Sequence, residues 1–147
     1  MNGIAIKKIL VPTDLSQNSE YAMQYAKEFA DKLGAKLYIY HCVTDLQSAI
    51  GYVPSLPAEE IIRTMKEEAI KEIEHIRNRY NFGDVEVVIE SGNAPKKIVE
   101  FADKNNIDMI IMGAHGKSGL ERFMFGSVTE KVLRLSSKPV LAIKMSS

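Results

Sequence analysis

The residues of this chain best suited to bind phosphate lie in one glycine-rich segment, GAHGKSGLERFMFGSVT, at positions 113–129. Glycine has no side chain, so an oxygen-rich ligand can closely approach the amide groups beside it. The segment contains four glycines, Gly113, Gly116, Gly119 and Gly126. It follows an apolar run typical of a buried strand and precedes a run with helical periodicity. This order predicts a strand, a ligand-binding loop and the start of a helix.

The start of that helix is itself a candidate anion site. Ser127 occupies the predicted N-cap position and Glu130 follows three residues later, which is the spacing of a capping box. The free N–H groups and the positive end of the helix dipole would then face the loop. His115 and Lys117 lie in the same loop. The histidine has no recognisable acid partner in the sequence, and the lysine could either neutralise phosphate charge or remain solvated.

Two common phosphate-binding motifs are absent. Gly116, Lys117 and Ser118 match the end of a P-loop, but the glycine that this motif requires five positions before Gly116 is replaced by Ile111. The dinucleotide-binding pattern G-x-G-x-x-G does not occur either. What remains is the spacing Gly-x2-Gly-x9-Gly-Ser, which belongs to neither motif.

A second polar group, Thr13, Asp14 and Ser16, follows the first apolar run of the chain. Asp14 could accept hydrogen bonds from ribose hydroxyls, or Asp14 or Ser16 could cap the helix that follows. The residues alone leave these roles open. If the strands that precede Asp14 and Gly113 are neighbours, a carboxylate and amide donors line one crevice, which suits a nucleotide.

Apolar runs and amphipathic stripes alternate along the chain. Strands are predicted at 5–11, 36–43, 85–90, 107–112 and 140–144, and helices at about 17–33, 58–80, 95–106 and 128–136. Residues 44–57 fit neither pattern and are predicted to form a mobile connection. The alternation predicts an α/β fold, a doubly wound five-stranded parallel sheet with helices on both faces. No linker or internal repeat is found, so residues 1–147 are predicted to form a single domain.

The composition argues against several classes of protein. A chain of 147 residues with 46% hydrophobic content can bury a substantial core. Nineteen basic and nineteen acidic residues cancel, so general nucleic-acid binding is not expected. No apolar run reaches the length of a membrane span and no signal peptide is recognised, which predicts a cytoplasmic protein. One cysteine and no Cys/His cluster at metal spacing predict neither a disulfide nor a metal site.

Three stretches together closely resemble the universal stress protein family: Ile9-Leu-Val-Pro-Thr-Asp14, the glycine spacing from Gly113 to Ser127, and Lys138-Pro-Val-Leu-Ala-Ile143. The resemblance extends over nearly the whole chain, and the glycine spacing is that of the subgroup that binds ATP. It implies a Rossmann-like fold of the adenine nucleotide alpha hydrolase-like type with strand order 3-2-1-4-5. It also implies a homodimer formed through the last strand, from Val140 to Lys144, whose edge would otherwise be unpaired.

The resemblance further implies which residues bind the nucleotide. Pro12, Thr13 and Asp14 would line the adenosine pocket, and the backbone at Cys42, the end of the second strand, would meet the adenine edge. Many relatives have valine at this position, and a buried core role for Cys42 is compatible with binding. The ribose and phosphates would contact Met112, Gly113, Ala114, His115, Gly116, Lys117, Ser118, Gly119, Gly126, Ser127, Val128 and Thr129.

The leading functional hypothesis is a stress-response regulator that switches with nucleotide occupancy or very slow ATP hydrolysis. ATP, ADP or AMP would be the ligand, with any Mg²⁺ held mainly by the phosphates. No catalytic nucleophile, metal-ligand set or cationic stabiliser of phosphoryl transfer is identified in the sequence. One alternative is an ATP-consuming enzyme whose second substrate enters near residues 47–57. Another is a nucleotide-independent protein-interaction module, and the sequence does not identify a protein partner.

Overall fold

The computed structural model describes residues 3–45, 47, 50–115 and 125–145 of the chain. Strands and helices alternate as the sequence predicts. Their bounds are β1 (Lys8–Pro12), α1 (Gln17–Leu33), β2 (Lys36–Thr44), α2 (Ala58–Tyr80), β3 (Glu86–Gly92), α3 (Ala94–Lys104), β4 (Met109–Gly113), α4 (Ser127–Leu135) and β5 (Val140–Ile143). In the predicted connection between β2 and α2, Gln47 and Ile50 are helical, and the Gly51 amide donates to the Gln47 carbonyl at 2.9 Å.

The five strands form one parallel sheet in the order β3-β2-β1-β4-β5, which confirms the order that the family resemblance implies. Successive strands move outward in one direction from β1 to β3, and β4 then pairs with the other side of β1. The strand order therefore reverses between β1 and β4. In doubly wound sheets this is the position where a crevice opens beyond the carboxyl ends of the strands.

Local signals fix the ends of α1. The Ser16 side chain accepts a hydrogen bond from the Ser19 amide at 3.2 Å, which makes Ser16 the N-cap. Gly34 ends the helix in the left-handed conformation, with φ of 65°. The helix buries Ala22, Ala26 and other small residues on the sheet. These bounds match the predicted ones.

The start of β1 and the role of Pro12 differ from the prediction. The strand begins at Lys8, three residues later than expected, and it includes Pro12 as its last residue instead of ending before it. Proline has no amide to donate. The next amide, that of Thr13, donates to the Tyr40 carbonyl at 2.7 Å, so the ladder with β2 continues past the proline.

Only the second half of the predicted apolar stripe on α2 is buried. Ala69, Ile73 and Ile76 pack into the core, whereas Ile62 is half-buried and Met65 is 39% exposed. With 23 residues, α2 is about 35 Å long. The neighbouring β3 has seven residues and spans about 23 Å. The helix therefore extends beyond the sheet that its apolar stripe would cover.

Two hydrophobic layers cover the sheet. Alternate strand residues such as Ile9 and Leu10 point to opposite faces. Ile9 packs with α1 and α2, and Leu10 packs with residues of α3 and α4 that include Ile98 and Val132. Each face of the sheet is therefore closed by a helix pair, which leaves the carboxyl edge as the place where side chains and loops can form a site. None of the helices within the described ranges is long and apolar enough to cross a membrane.

Candidate functional site

A cleft lies at the carboxyl ends of β1 and β4, where the strand order reverses. The two strands are paired, with Ile9 opposite Met109 and Leu10 opposite Ile110. The cleft has a volume of about 240 Å³. Its position is the one at which open α/β sheets bind ligands.

The cleft brings together the two polar segments that the sequence singles out. Eleven of the predicted site residues line it: Pro12, Thr13, Asp14, Cys42, Met112, Gly113, His115, Gly126, Ser127, Val128 and Thr129. Ala114 is fully buried and is not among the lining residues. Gly116, Lys117, Ser118 and Gly119 lie outside the described residues.

Thr13 is held by hydrogen bonds on both its backbone and its side chain, and it is 6% exposed. Its amide donates to Tyr40, and its Oγ1 accepts from the Leu15 amide at 2.9 Å. Oγ1 also lies 2.8 Å from the Ser19 hydroxyl, which itself donates to the Ser16 carbonyl at 2.9 Å. Because the Ser19 hydrogen is already used, Thr13 is the donor of the pair. The turn after β1 is thus tied to α1.

Asp14 lines the cleft from the wall formed by β1. Its Oδ1 accepts a hydrogen bond from the Ser16 amide at 2.9 Å, which is the pattern of an Asx-turn. Since Ser16 caps α1, the capping role that the sequence left open for Asp14 is not the one it has. Asp14 thus places a carboxylate, a group that accepts hydrogen bonds, in the lining of the cleft.

Gly113, at the end of β4, lies close to Asn18 of α1. A Cβ atom at this position would lie 2.9 Å from Asn18 Oδ1 and 3.3 Å from the Asn18 backbone carbon. The buried Asn18 side chain also accepts from the His115 amide at 2.8 Å and donates to the Ile143 carbonyl at 3.3 Å. Gly113 therefore makes room for α1, whereas the prediction from the sequence was that this glycine permits close approach by a ligand.

The predicted capping box at the start of α4 is wrong. Gly126 is the N-cap, with φ of −61° and ψ of 156°, Ser127 is the first helical residue, and no side chain caps the helix. The Gly126 carbonyl accepts from the Glu130 amide at 2.9 Å, which moves the helix start one residue earlier than predicted. The Glu130 carboxylate instead accepts from Arg134, one turn later, at 2.6 Å.

Two hydrogen bonds fix the start of α4 beside the end of β4. The Gly126 amide donates to the Ala114 carbonyl at 2.8 Å, and the Thr129 hydroxyl donates to the Gly113 carbonyl at 2.8 Å. Thr129 is 4% exposed. Its hydroxyl hydrogen is therefore not available to a phosphate oxygen, so a contact between Thr129 and the ligand, as predicted from the family resemblance, would have to use the backbone. The first N–H groups of α4 have no intrahelical acceptor, as in any helix.

Cys42 lies two residues inside β2, because the strand continues to Thr44, one residue past the predicted end of the strand at Val43. The Tyr40 carbonyl points towards β1, where it accepts from Thr13. Backbone groups two residues apart point to the same side of a strand, so those of Cys42 face the space beyond the end of β1, which is the cleft. This orientation fits the predicted contact between the Cys42 backbone and an adenine edge.

Burial and the nearby Glu90 carboxylate raise the pKa of the Cys42 thiol to about 11. The thiol points towards the Gly92 carbonyl, with a distance of 3.6 Å from Sγ to oxygen. Tyr40 donates its hydroxyl to Glu90 at 2.6 Å, and burial together with this bond raises the pKa of Tyr40. Both groups are therefore neutral at physiological pH, so this end of the cleft can receive an uncharged base.

Five lining residues were not predicted from the sequence: Ser19, Tyr40, Thr44, Ala94 and Ile98. Tyr40 and Thr44 lie two residues on either side of Cys42 and so share its face of β2, a signal that the period of a strand provides. Ala94 and Ile98 lie four residues apart on one face of α3. Applying these two periods to the predicted elements would have identified four of the five.

The wall of the cleft formed by β1 carries a carboxylate. Of the lining residues, Asp14 is the one that carries a carboxylate, and no lysine or arginine lines the cleft within the ranges that the structure describes. Among the described residues, the groups suited to hold phosphate are neutral donors and the positive end of the α4 dipole. The described part of the chain contains no cluster of three or more His, Cys, Asp or Glu side chains able to hold a metal ion.

Comparison with known proteins identifies relatives that match this chain over most of their length. The universal stress protein MJ0577 of Methanocaldococcus jannaschii is 33% identical, over 97% of each chain. Its solved structure matches with a TM-score of 0.85 and 32% identity, covering 98% of this chain and 99% of that chain.

Two further solved structures contain nucleotides. A universal stress protein in complex with cAMP matches with a TM-score of 0.63 and 27% identity, over 97% of this chain and 99% of that one. The universal stress protein of Archaeoglobus fulgidus in complex with dAMP has a TM-score of 0.60 and 26% identity, over 97% and 100%. The sequence model of the universal stress protein family matches residues 5–144. With this match over nearly the whole chain and the same fold, the chain belongs to the universal stress protein family.

Proposed function

We propose that this protein binds ATP, or the related nucleotides ADP and AMP, and acts as a nucleotide-dependent switch in a stress response. The observation that carries the proposal is that Asp14 and the start of α4 line one cleft at the point where the strand order reverses. The relatives solved with cAMP and dAMP support an adenine nucleotide as the ligand class. A cytoplasmic location stays a prediction from the sequence.

The geometry suggests how the nucleotide is oriented. The adenine edge meets the backbone of Cys42 at the neutral end of the cleft, and Asp14 accepts a hydrogen bond from a ribose hydroxyl. The phosphates lie against the end of β4 and the amides of Ser127 and Val128, where the helix dipole favours negative charge. Any Mg²⁺ is held mainly by the phosphates and water. Hydrolysis is at most slow, since the sequence offers no set of groups for rapid phosphoryl transfer.

Calorimetric titration with ATP, ADP and AMP, with and without Mg²⁺, tests this proposal. Wild type is expected to bind. Asp14→Asn keeps the oxygen that accepts from Ser16 but removes the charged acceptor, and it is expected to weaken binding by about 10- to 100-fold. Gly126→Val adds a side chain beside the phosphates at the start of α4 and is expected to weaken binding at least as much.

Matched controls are Asp84→Asn, at an exposed turn, and Gly3→Val, where no atom lies within 4 Å of an added Cβ. Both should bind like wild type. A folded, ligand-stripped wild type that binds no adenine nucleotide would overturn the proposal in favour of an interaction module. Rapid ATP turnover by the protein alone would instead favour an ATP-consuming enzyme.

We also propose that the protein forms a homodimer through β5. This strand is at the edge of the sheet and pairs with β4. The Pro139 carbonyl accepts from the Ile110 amide of β4, and the Ile143 carbonyl accepts from the Ala114 amide just after β4. The alternate residues Val140 and Ala142 therefore direct their backbone groups outward. An edge with outward N–H and C=O groups can pair with a strand of another chain. Pairing with a second copy of this chain would satisfy these groups and prevent other pairings.

Sedimentation velocity checks the dimer. Wild type is expected at twice the 16.4 kDa mass of the chain. Ala142→Pro removes one outward amide but leaves the bonds that Pro139 and Ile143 accept from Ile110 and Ala114. Proline is tolerated in edge strands. The variant is expected to be folded and monomeric at micromolar concentration. A wild type that is monomeric, or a folded Ala142→Pro that stays dimeric, would rule out this interface.

A further inference from the structure

His41 contacts the turn that carries Asp14, although its side chain lies outside the cleft. Its neighbours in β2, Tyr40 and Cys42, line the cleft. Alternate residues of a strand point to opposite faces, so His41 shares the face of Ile39, which packs in the core beneath α1 and α2. The histidine is half-buried on that face. It therefore reaches the turn from the other side of the sheet.

The contact is a hydrogen bond of 2.7 Å between His41 Nδ1 and the Thr13 carbonyl oxygen. A carbonyl oxygen only accepts, so the hydrogen of this bond is on Nδ1 and His41 is the donor. The Thr13 carbonyl and the Asp14 amide belong to one planar peptide unit. A bond that fixes the direction of this carbonyl therefore also fixes the orientation of the peptide unit that leads into Asp14.

The turn that follows has a conformation that needs such support. Leu15 has φ of 67°, in the left-handed region that is sterically disfavoured for residues other than glycine. The Leu15 amide donates to Thr13 Oγ1, and the Ser16 amide donates to Asp14 Oδ1. A disfavoured backbone conformation persists where surrounding contacts over-determine it, and such positions are concentrated at functional sites. Among these contacts, the bond from His41 is made by a side chain of β2.

We propose that His41 is a positioning residue for the nucleotide: through the Thr13 carbonyl it holds Asp14 at the angle required to accept a hydrogen bond from the ribose. The proposal rests on the nucleotide binding proposed above. It assigns His41 no contact with the ligand. The group that matters is the Nδ1 donor, because its bond to the Thr13 carbonyl is what orients Asp14.

Three substitutions at one position test the role of that donor, with ATP and AMP as calorimetric probes. His41→Leu removes the donor and is expected to weaken binding by about tenfold or more. Asn places an amide nitrogen on the same Cγ that carries Nδ1 in histidine, so His41→Asn should bind within about threefold of wild type. Gln carries its amide one bond further away, and His41→Gln should therefore resemble His41→Leu. His75→Leu, at an exposed position on α2, is the control.

A double-mutant cycle with Asp14→Asn separates positioning from a general loss of stability. If His41 acts through Asp14, adding His41→Leu to Asp14→Asn should weaken binding by less than about twofold further. Fully additive effects, wild-type binding by His41→Leu, or equal losses in the Asn and Leu variants would each overturn the inference. If His41→Leu does not fold, the Asn and Gln pair still decides the question. Failure of wild type to bind would instead refute the proposed function.

Discussion

Gly113→Ala is expected to lower the free energy of unfolding by about 1–3 kcal/mol, the usual effect of overpacking a close contact. The added Cβ would lie 2.9 Å from Asn18 Oδ1 and 3.3 Å from the Asn18 backbone carbon. The side-chain contact could be relieved by rotation, but only by breaking the bonds that Asn18 makes to His115 and Ile143. The backbone contact can be relieved only if α1 moves away from β4. Urea unfolding monitored by circular dichroism measures the effect.

Gly3→Ala is the matched control, since an added Cβ there meets nothing within 4 Å and the free energy of unfolding should stay within about 0.5 kcal/mol of wild type. The comparison also decides why position 113 is glycine. If Gly113→Ala is as stable as wild type but binds no nucleotide, the glycine serves the ligand and not the packing of α1. Loss of stability in the protein without nucleotide identifies helix packing as the requirement.

The order of elements could be predicted because it follows from patterns that are local in the sequence. The ends of α1 depend on Ser16 and Gly34, each of which acts on groups within about one turn of itself. The period of apolar residues on α2 likewise gave its bounds, Ala58–Tyr80. The same period did not predict which residues of the stripe are buried. Met65 is exposed because it lies beyond the part of the helix that the sheet can cover.

The start of α4 could not be predicted, because the choice between two adjacent caps is made by distant contacts. Both Gly126 and Ser127 are common at N-caps. The Gly126 amide bonds to the Ala114 carbonyl, and Thr129 bonds to the Gly113 carbonyl. Together these bonds set where the helix begins relative to β4. A capping box is a local pattern, and here the tertiary contacts across the loop override it.

The residues that line the cleft were predictable only where they follow the end of a strand. Residues adjacent to the ends of β1 and β4 could be found because ligands bind beyond the carboxyl ends of parallel strands. Asn18 and His41 could not, since neither lines the cleft and each acts through the backbone of another segment. Asn18 contacts residues that are 97 and 125 positions away in the sequence. Nothing in its local sequence distinguishes it from an exposed polar residue in the first turn of a helix.

Asn18→Leu is expected to lower the free energy of unfolding by about 2–4 kcal/mol, because it removes two hydrogen bonds from a buried position. The His115 amide loses its acceptor, whereas the Ile143 carbonyl keeps the bond from the Ala114 amide. Most of the loss should therefore come from the His115 amide. Gln24→Leu, a substitution of similar size on the same helix at a half-exposed position, should change stability by less than about 0.5 kcal/mol.

Combining substitutions at Asn18 and Gly113 tests whether the two residues form one contact. Asn18→Ala removes Oδ1 and Cγ, two of the three atoms that a Cβ at position 113 would meet, but leaves the backbone carbon. The cost of Gly113→Ala should therefore be smaller in the Asn18→Ala background than in wild type, by about 0.5–2 kcal/mol. Additive losses would mean that the clash is with the Asn18 backbone, and that the Asn18 side chain does not determine the distance between α1 and β4. Coupled losses would mean that the contact between Asn18 and Gly113 determines how α1 packs on β4. The same contact would then also determine the position of the His115 amide, which donates to Asn18 beside the cleft.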